Sequence, residues 1–180
     1  MLYSYEECIQ KFHTDYELRK VLKEGSLFRV ERGVYSDKEY ESELAIISKQ
    51  YPYAVFTMDS AFYFHDLTDT IPLEYCLLTD KNATKIRNPK VKQFFDNCNS
   101  MELGLTQTEY NGVTIRVFSK ERMLVELIRS KNKLPFDYYK EIISNYRKQI
   151  YELDVQAIQE YAEQLPKTNL VLSTLQLEVF

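Results

Sequence analysis

Two phenols and five cations near the start of the chain could do chemistry on a phosphate backbone. Tyr16, Arg19, Lys20 and Lys23 come first, and Arg29, Arg32 and Tyr35 follow within "EGSLFRVERGVYS". Guanidinium and ammonium groups pair with phosphate oxygens and reach base edges, and the phenols add hydrogen bonds and stacking. A second cationic group, Lys81, Lys85, Arg87, Lys90 and Lys92, lies in "DKNATKIRNPKVK", residues 80–92, behind a single Asp. Both groups have a plainer reading as solvated charge. Glu17, Glu24 and Glu31 stand among the first set and weaken the field that phosphates require.

Catalytic and metal chemistry finds less material. His13 and His65 are the only histidines, and neither has a second ligand at helical spacing. No G-x-S-x-G elbow and no Gly-rich phosphate loop is present. Gly25-Ser26 with Asp37 and Glu39 suggests a nucleotidyltransferase pattern, in which a Gly-Ser turn holds phosphates and two strand carboxylates hold Mg²⁺. Lys38 separates those carboxylates, however, and "LFRVERGVY" alternates like a strand where that chemistry needs a helix. No catalytic residue, metal ligand or cofactor is expected, and the chain is read as a non-enzyme.

The elements that would carry the first cationic group follow from local signals. Ser4 can cap a helix over 4–13, with Glu6 and Glu7 in its first turn. Thr14 or Asp15 can cap a second helix, in which Leu18, Val21 and Leu22 form the apolar stripe and Arg19, Lys20 and Lys23 lie largely off it. Gly25 suits the helix end. "LFRVERGVYS" then reads as a hairpin turning at Arg32-Gly33. Two short helices and a hairpin give the order of a winged helix-turn-helix, with the second helix in the major groove and the hairpin as wing.

Beyond Ser36 the chain reads as a mixed α/β domain. Asp37 is expected to cap a helix over 38–51 that Pro52 ends. "AVFTM" and "LEYCLLT" read as strands around a short helix, Ser60 to His65. "GLTQTEYNGVTIRVFS" is a hairpin about Asn111-Gly112. Ser119 and Asp154 can each cap a helix, and "FDYYKEIISNYRKQI" places Phe136, Tyr139, Ile142, Ile143, Tyr146 and Ile150 on one face. "TNLVLSTLQLEVF" fits a helix or a strand. The fold class is therefore α+β, with residues 1–36 as the DNA-binding module and 37–180 as the second domain.

Composition sets limits. With 44% hydrophobic residues the chain can bury a real core, and a net charge of −4 argues against coating nucleic acid over the whole surface. Cys8, Cys76 and Cys98 are far apart and odd in number, which suits a reducing compartment. The N-terminus lacks a signal-peptide pattern, and no apolar run approaches the ~20 residues that span a bilayer. A cytoplasmic protein without a membrane partner is expected.

Three stretches together resemble a known family. "LRKVLKEGSLFRVERGVYS" is similar to the helix-and-wing signature of the AbiEi-like antitoxins of bacterial type IV toxin–antitoxin (abortive infection) systems. "DSAFYFHDLTDTIPLEYCLLT" and "GVTIRVFSKERMLVELIR" resemble two further segments of that family, in order, with Glu126 where its pattern has Asp. The resemblance covers roughly residues 4–165. It implies a transcriptional regulator that binds operator DNA through the winged helix. It also implies a C-terminal domain that counters a nucleotidyltransferase-like toxin, directly or not. Family members usually carry a further helix before the one at Ser4. Met1 to Tyr3 are too few for it, so either another element covers that core or the module is degenerate. The alternative is an interaction protein that keeps the fold without reading DNA.

Overall fold

The computed structural model describes residues 1–180, apart from the side chain of Cys98. The chain is mixed α+β and divides into two compact units, Met1–Tyr53 with Asn111–Thr114, and Ala54–Tyr110 with Ile115–Phe180. The first unit thus runs past the 36/37 boundary read from the sequence. No helix is long and apolar enough to cross a membrane among the described residues.

In the first unit, β1 (Leu2–Ser4) leads directly into α1 (Tyr5–Phe12). The Ser4 and Glu7 side chains satisfy each other's backbone N–H groups in a capping box. His13 and Thr14 make the connection to α2 (Asp15–Lys23), which Thr14 caps by accepting from the Glu17 N–H at 3.2 Å. Gly25, at φ 73°, turns the chain into β2 (Phe28–Glu31), and β3 (Val34–Ser36) returns. The three strands form an antiparallel sheet in the order β1-β3-β2. Register slips between Arg29 and Glu31.

The central strand of this sheet is buried along its whole length. Tyr35 joins Cys8, Leu18 and Leu27 in the core beneath α1 and α2. Val34 and Ser36 have the other parity, and α3 (Glu43–Gln50) packs against β1 and β3 with Leu44 and Ile47 buried. Consecutive buried strand residues require cover on both faces. The third helix is shorter than the 38–51 expected. Ser42, not Asp37, caps it by accepting from the Ala45 N–H at 3.2 Å. The Asp37 carboxylate instead pairs with the Met1 ammonium.

The second unit carries a five-stranded mixed sheet, of which only Val113 and Thr114 belong to the first unit. It comprises β4 (Val55–Phe56), β5 (Tyr75–Asp80), β6 (Val91–Asp96), β7 (Leu105–Tyr110) and β8 (Val113–Phe118), in the order β6-β5-β4-β8-β7. β4 runs parallel to β8 and antiparallel to β5, and β5 runs parallel to β6. Asn111 and Gly112 both take positive φ, the geometry that the β7–β8 turn demands. The helices are α4 (Met58–Phe64), α5 (Cys98–Glu102), α6 (Lys120–Arg129), α7 (Phe136–Lys148), α8 (Val155–Gln164) and α9 (Thr168–Thr174). The final stretch is helical throughout, ending in a wider turn over Leu175–Val179. Val171, Leu175 and Val179 recur every four residues on its buried side.

α6 is the axis of this unit. Ser119 caps it, and α4, α8 and α9 pack around it. Arg122 is fully buried at its start. Its Nη2 donates to Glu126 Oε1 at 2.6 Å, its Nη1 donates to the Ser100 carbonyl at 3.2 Å, and the guanidinium lies 4.9 Å from the Phe118 ring centroid. Arg129 Nη1 donates to the same Glu126 oxygen at 2.6 Å.

Candidate nucleic-acid interface

α2 separates its apolar and cationic residues cleanly. Leu18 is buried and Val21 and Leu22 pack against the core, so Tyr16, Arg19, Lys20 and Lys23 fall on the outer face at i, i+3, i+4 and i+7. All four are exposed, Tyr16 at 75%. One of the cations is already engaged at the surface. Arg19 Nη2 lies 3.3 Å from Asp15 Oδ2, and Asp15 Oδ1 accepts from the Tyr5 hydroxyl at 2.9 Å. With both charged side chains more than half exposed, that pair competes weakly with a phosphate.

The hairpin presents Arg29 and Arg32, both exposed. Arg32 sits at the turn before Gly33, whose φ of 77° favours glycine. Its N–H donates to Glu31 Oε1 at 2.8 Å, and its carbonyl accepts from Gln50 Nε2 of α3 at 3.2 Å. Lys49, beside Gln50, pairs with Glu7 at 2.6 Å. The hydrogen bond from Lys49, with that from the Ser4 N–H, holds the Glu7 carboxyl below its usual range. Two adjacent residues of α3 therefore grip the hairpin tip and α1.

Tyr35 corrects the sequence reading. It is 7% exposed and belongs to the core with Cys8, Leu18 and Leu27, so it cannot contact a nucleic acid. Its parity on the covered central strand decides this, and the sequence alone does not reveal which face of that strand is covered. The other six residues of the first cationic group are exposed on the first unit. The Gln50 contact carries no sequence signal, because nothing local marks a glutamine at a helix end as a partner for a distant carbonyl.

The second cationic group is ordered by its neighbours. Asp80 Oδ1 accepts from the Asn82 N–H at 2.9 Å and opens the loop. Gln93 of β6 accepts from the Ile86 N–H at 2.7 Å and donates to the Thr84 carbonyl at 3.3 Å, laying the loop along the strand. Asn88 turns it back by accepting from the Lys90 N–H at 3.0 Å. Lys81, Lys85, Arg87, Lys90 and Lys92 are all exposed. Lys92 lies in β6 rather than in the loop, at the opposite parity to Gln93.

The nucleotidyltransferase arrangement does not form. Gly25-Ser26 is followed by β2 instead of a helix, and Asp37 and Glu39 lie outside any strand. Among the described residues no group of three or more His, Cys, Asp or Glu side chains could hold a metal ion. His13 is exposed, whereas His65 is half-buried with its Nε2 at 2.6 Å from the Phe118 carbonyl. Compared with models of known protein families and with curated proteins, the sequence matches none.

Proposed function

We propose that the chain is an antitoxin-type transcriptional regulator that binds operator DNA through a winged helix formed by its first unit. One observation carries the reading. α2 offers Tyr16, Arg19, Lys20 and Lys23 on a single outer face, in a unit whose hairpin exposes Arg29 and Arg32. The connectivity agrees. A strand, two helices and a hairpin, with the first strand pairing to the last, make the scaffold that inserts a second helix into the major groove. On this reading α3 covers the second face of the three-stranded sheet, packing on β1 and β3 with Leu44 and Ile47 buried. The antitoxin role, and a nucleotidyltransferase-like toxin as functional partner, rest on the three family-like segments. The reading assigns no role to the loop at Lys81–Lys92.

The test is a titration of the full chain with the DNA upstream of its own gene against a scrambled duplex, across a salt series. Selective binding is expected, weakening as salt rises. In an Arg19→Ala/Arg32→Ala double variant the log–log salt slope should become shallower by about 2, since each lost phosphate contact removes about 0.9.

A second reading is favoured by the acids on the same surface. Asp15 pairs with Arg19, and Glu17, Glu24 and Glu31 are exposed among the cations. An interaction protein that keeps the fold without reading DNA would show no selective binding even at low salt. It would also tolerate replacement of Arg19 and Arg32.

A further inference from the structure

The second unit carries two adjoining cavities, of about 310 and 570 Å³, that share Asp59, Lys92, Lys133 and Leu134 in their walls. Their size is that of small-ligand sites. The smaller one opens where the parallel neighbours β4 and β8 end, at Thr57 and Phe118. A crevice outside the carboxyl ends of strands is where α/β sheets commonly take ligands.

The smaller cavity gathers three cations, Lys92, Arg129 and Lys133, with the carboxylates of Asp59, Asp96 and Glu126, and one donor atom there lacks an acceptor. Arg129 lines the smaller cavity, and its Nε is buried without a hydrogen-bond partner. A buried donor left unpaired is costly, so such a group marks a place for an acceptor. Lys92 and Lys133 are exposed at the junction, and neither forms an ion pair among the described residues. Glu126 does not cancel this charge, because Arg122 and Arg129 already share its Oε1. Asp96 also lines the smaller cavity, with its Oδ1 accepting from the Asn97 N–H at 2.8 Å.

The larger cavity differs in chemistry. Ile71, Pro72, Leu134 and Pro135 give it apolar walls, and Tyr138 adds a ring. Asp59 stands between the two halves, where a carboxylate can accept from a hydroxyl or amino group.

We propose that this double cavity binds a phosphorylated small molecule of the nucleoside 5′-monophosphate class. The phosphate lies against Arg129, Lys92 and Lys133, a ribose hydroxyl meets Asp59, and the base lies in the apolar half. The assignment concerns the second unit and does not depend on DNA binding by the first.

The test uses the full chain, with AMP, GMP, CMP and UMP as separate probes and inorganic phosphate as competitor, read by calorimetric titration and by melting temperature. At least one nucleotide should bind and raise the melting temperature, with phosphate displacing it. Lys92→Gln and Lys133→Gln should each weaken that binding about tenfold, the size of one charge-assisted hydrogen bond, while the unliganded melting temperature stays unchanged. Asp59→Asn should weaken nucleotide binding and leave phosphate binding as it was. The proposal is overturned if none of the four nucleotides binds at millimolar concentration. It is equally overturned if both lysine variants bind like the wild type, or if inorganic phosphate binds as tightly as every nucleotide.

Discussion

Gln50 Nε2 donates a hydrogen bond to the carbonyl of Arg32 at 3.2 Å, joining the last turn of α3 to the tip of the β2–β3 hairpin. The bond acts on the backbone of Arg32 and leaves its guanidinium free to face outward. Gln50→Met keeps the bulk and deletes the donor. It should cost about 0.5–1.5 kcal/mol of stability, the usual net contribution of one hydrogen bond, measurable by urea denaturation. If the hairpin serves as a wing, the same variant should bind DNA more weakly with an unchanged salt slope, because no phosphate contact has been removed. A shallower slope would show that Gln50 reaches the DNA itself.

The pair in the second unit should matter more to folding. Arg122 has no exposed surface, and burial pulls its pKa down while Glu126 opposes that shift. Removing the carboxylate would leave a buried cation uncompensated. Glu126→Ala should therefore destabilise the protein by about 3–5 kcal/mol, read as a fall in the denaturant midpoint. A loss below about 1 kcal/mol would mean that water reaches Arg122 once the pair is broken.

Gly104 is constrained by the same arginine. Its φ is 70°, and a Cβ there would lie 2.5 Å from Arg122 Cβ. Gly104→Ala should cost about 1–3 kcal/mol for the left-handed backbone, with a further loss from the overlap. Thermal melting of this single variant is enough to check it.

His65 should make the stability depend on pH. Burial pulls its pKa below the ordinary 6.5, and the hydrogen bond to the Phe118 carbonyl offsets this only in part. The unfolded chain then binds the proton first as pH falls. The contribution is fully present above about pH 6.5 and is lost as pH drops toward the folded value. Urea midpoints should fall between about pH 7.5 and 5.5, and His65→Gln should flatten that slope.

Two thiols should be inert in the native state. Burial pushes the Cys8 thiol up and takes Cys76 to about 11, so the reactive thiolate is scarce near neutral pH. Site-resolved mass spectrometry after maleimide treatment should find both unlabelled in the folded protein and labelled in denaturant. Rapid native labelling of Cys8 would mean that α1 opens away from its sheet.

Much of this protein is determined within a few residues at a time, and that part is legible in the sequence. Ser4, Thr14, Ser119 and Asp154 each cap the helix that follows, because a short oxygen-bearing side chain reaches its first free N–H groups. Gly25 and Asn111-Gly112 turn the chain because they tolerate positive φ. The outward set on α2 follows from helical spacing alone. What depends on distant partners is decided only by the tertiary structure. Leu2–Ser4 becomes a strand because β3 lies beside it. Tyr35 turns from candidate contact to core because both faces of β3 are covered. Asp37 gives up a helix cap to the Met1 ammonium, and β6 is a strand because β5 lies beside it. The crevice of Arg129, Lys92 and Lys133 has no sequence pattern at all, because its residues meet only after the sheet and α6 have packed.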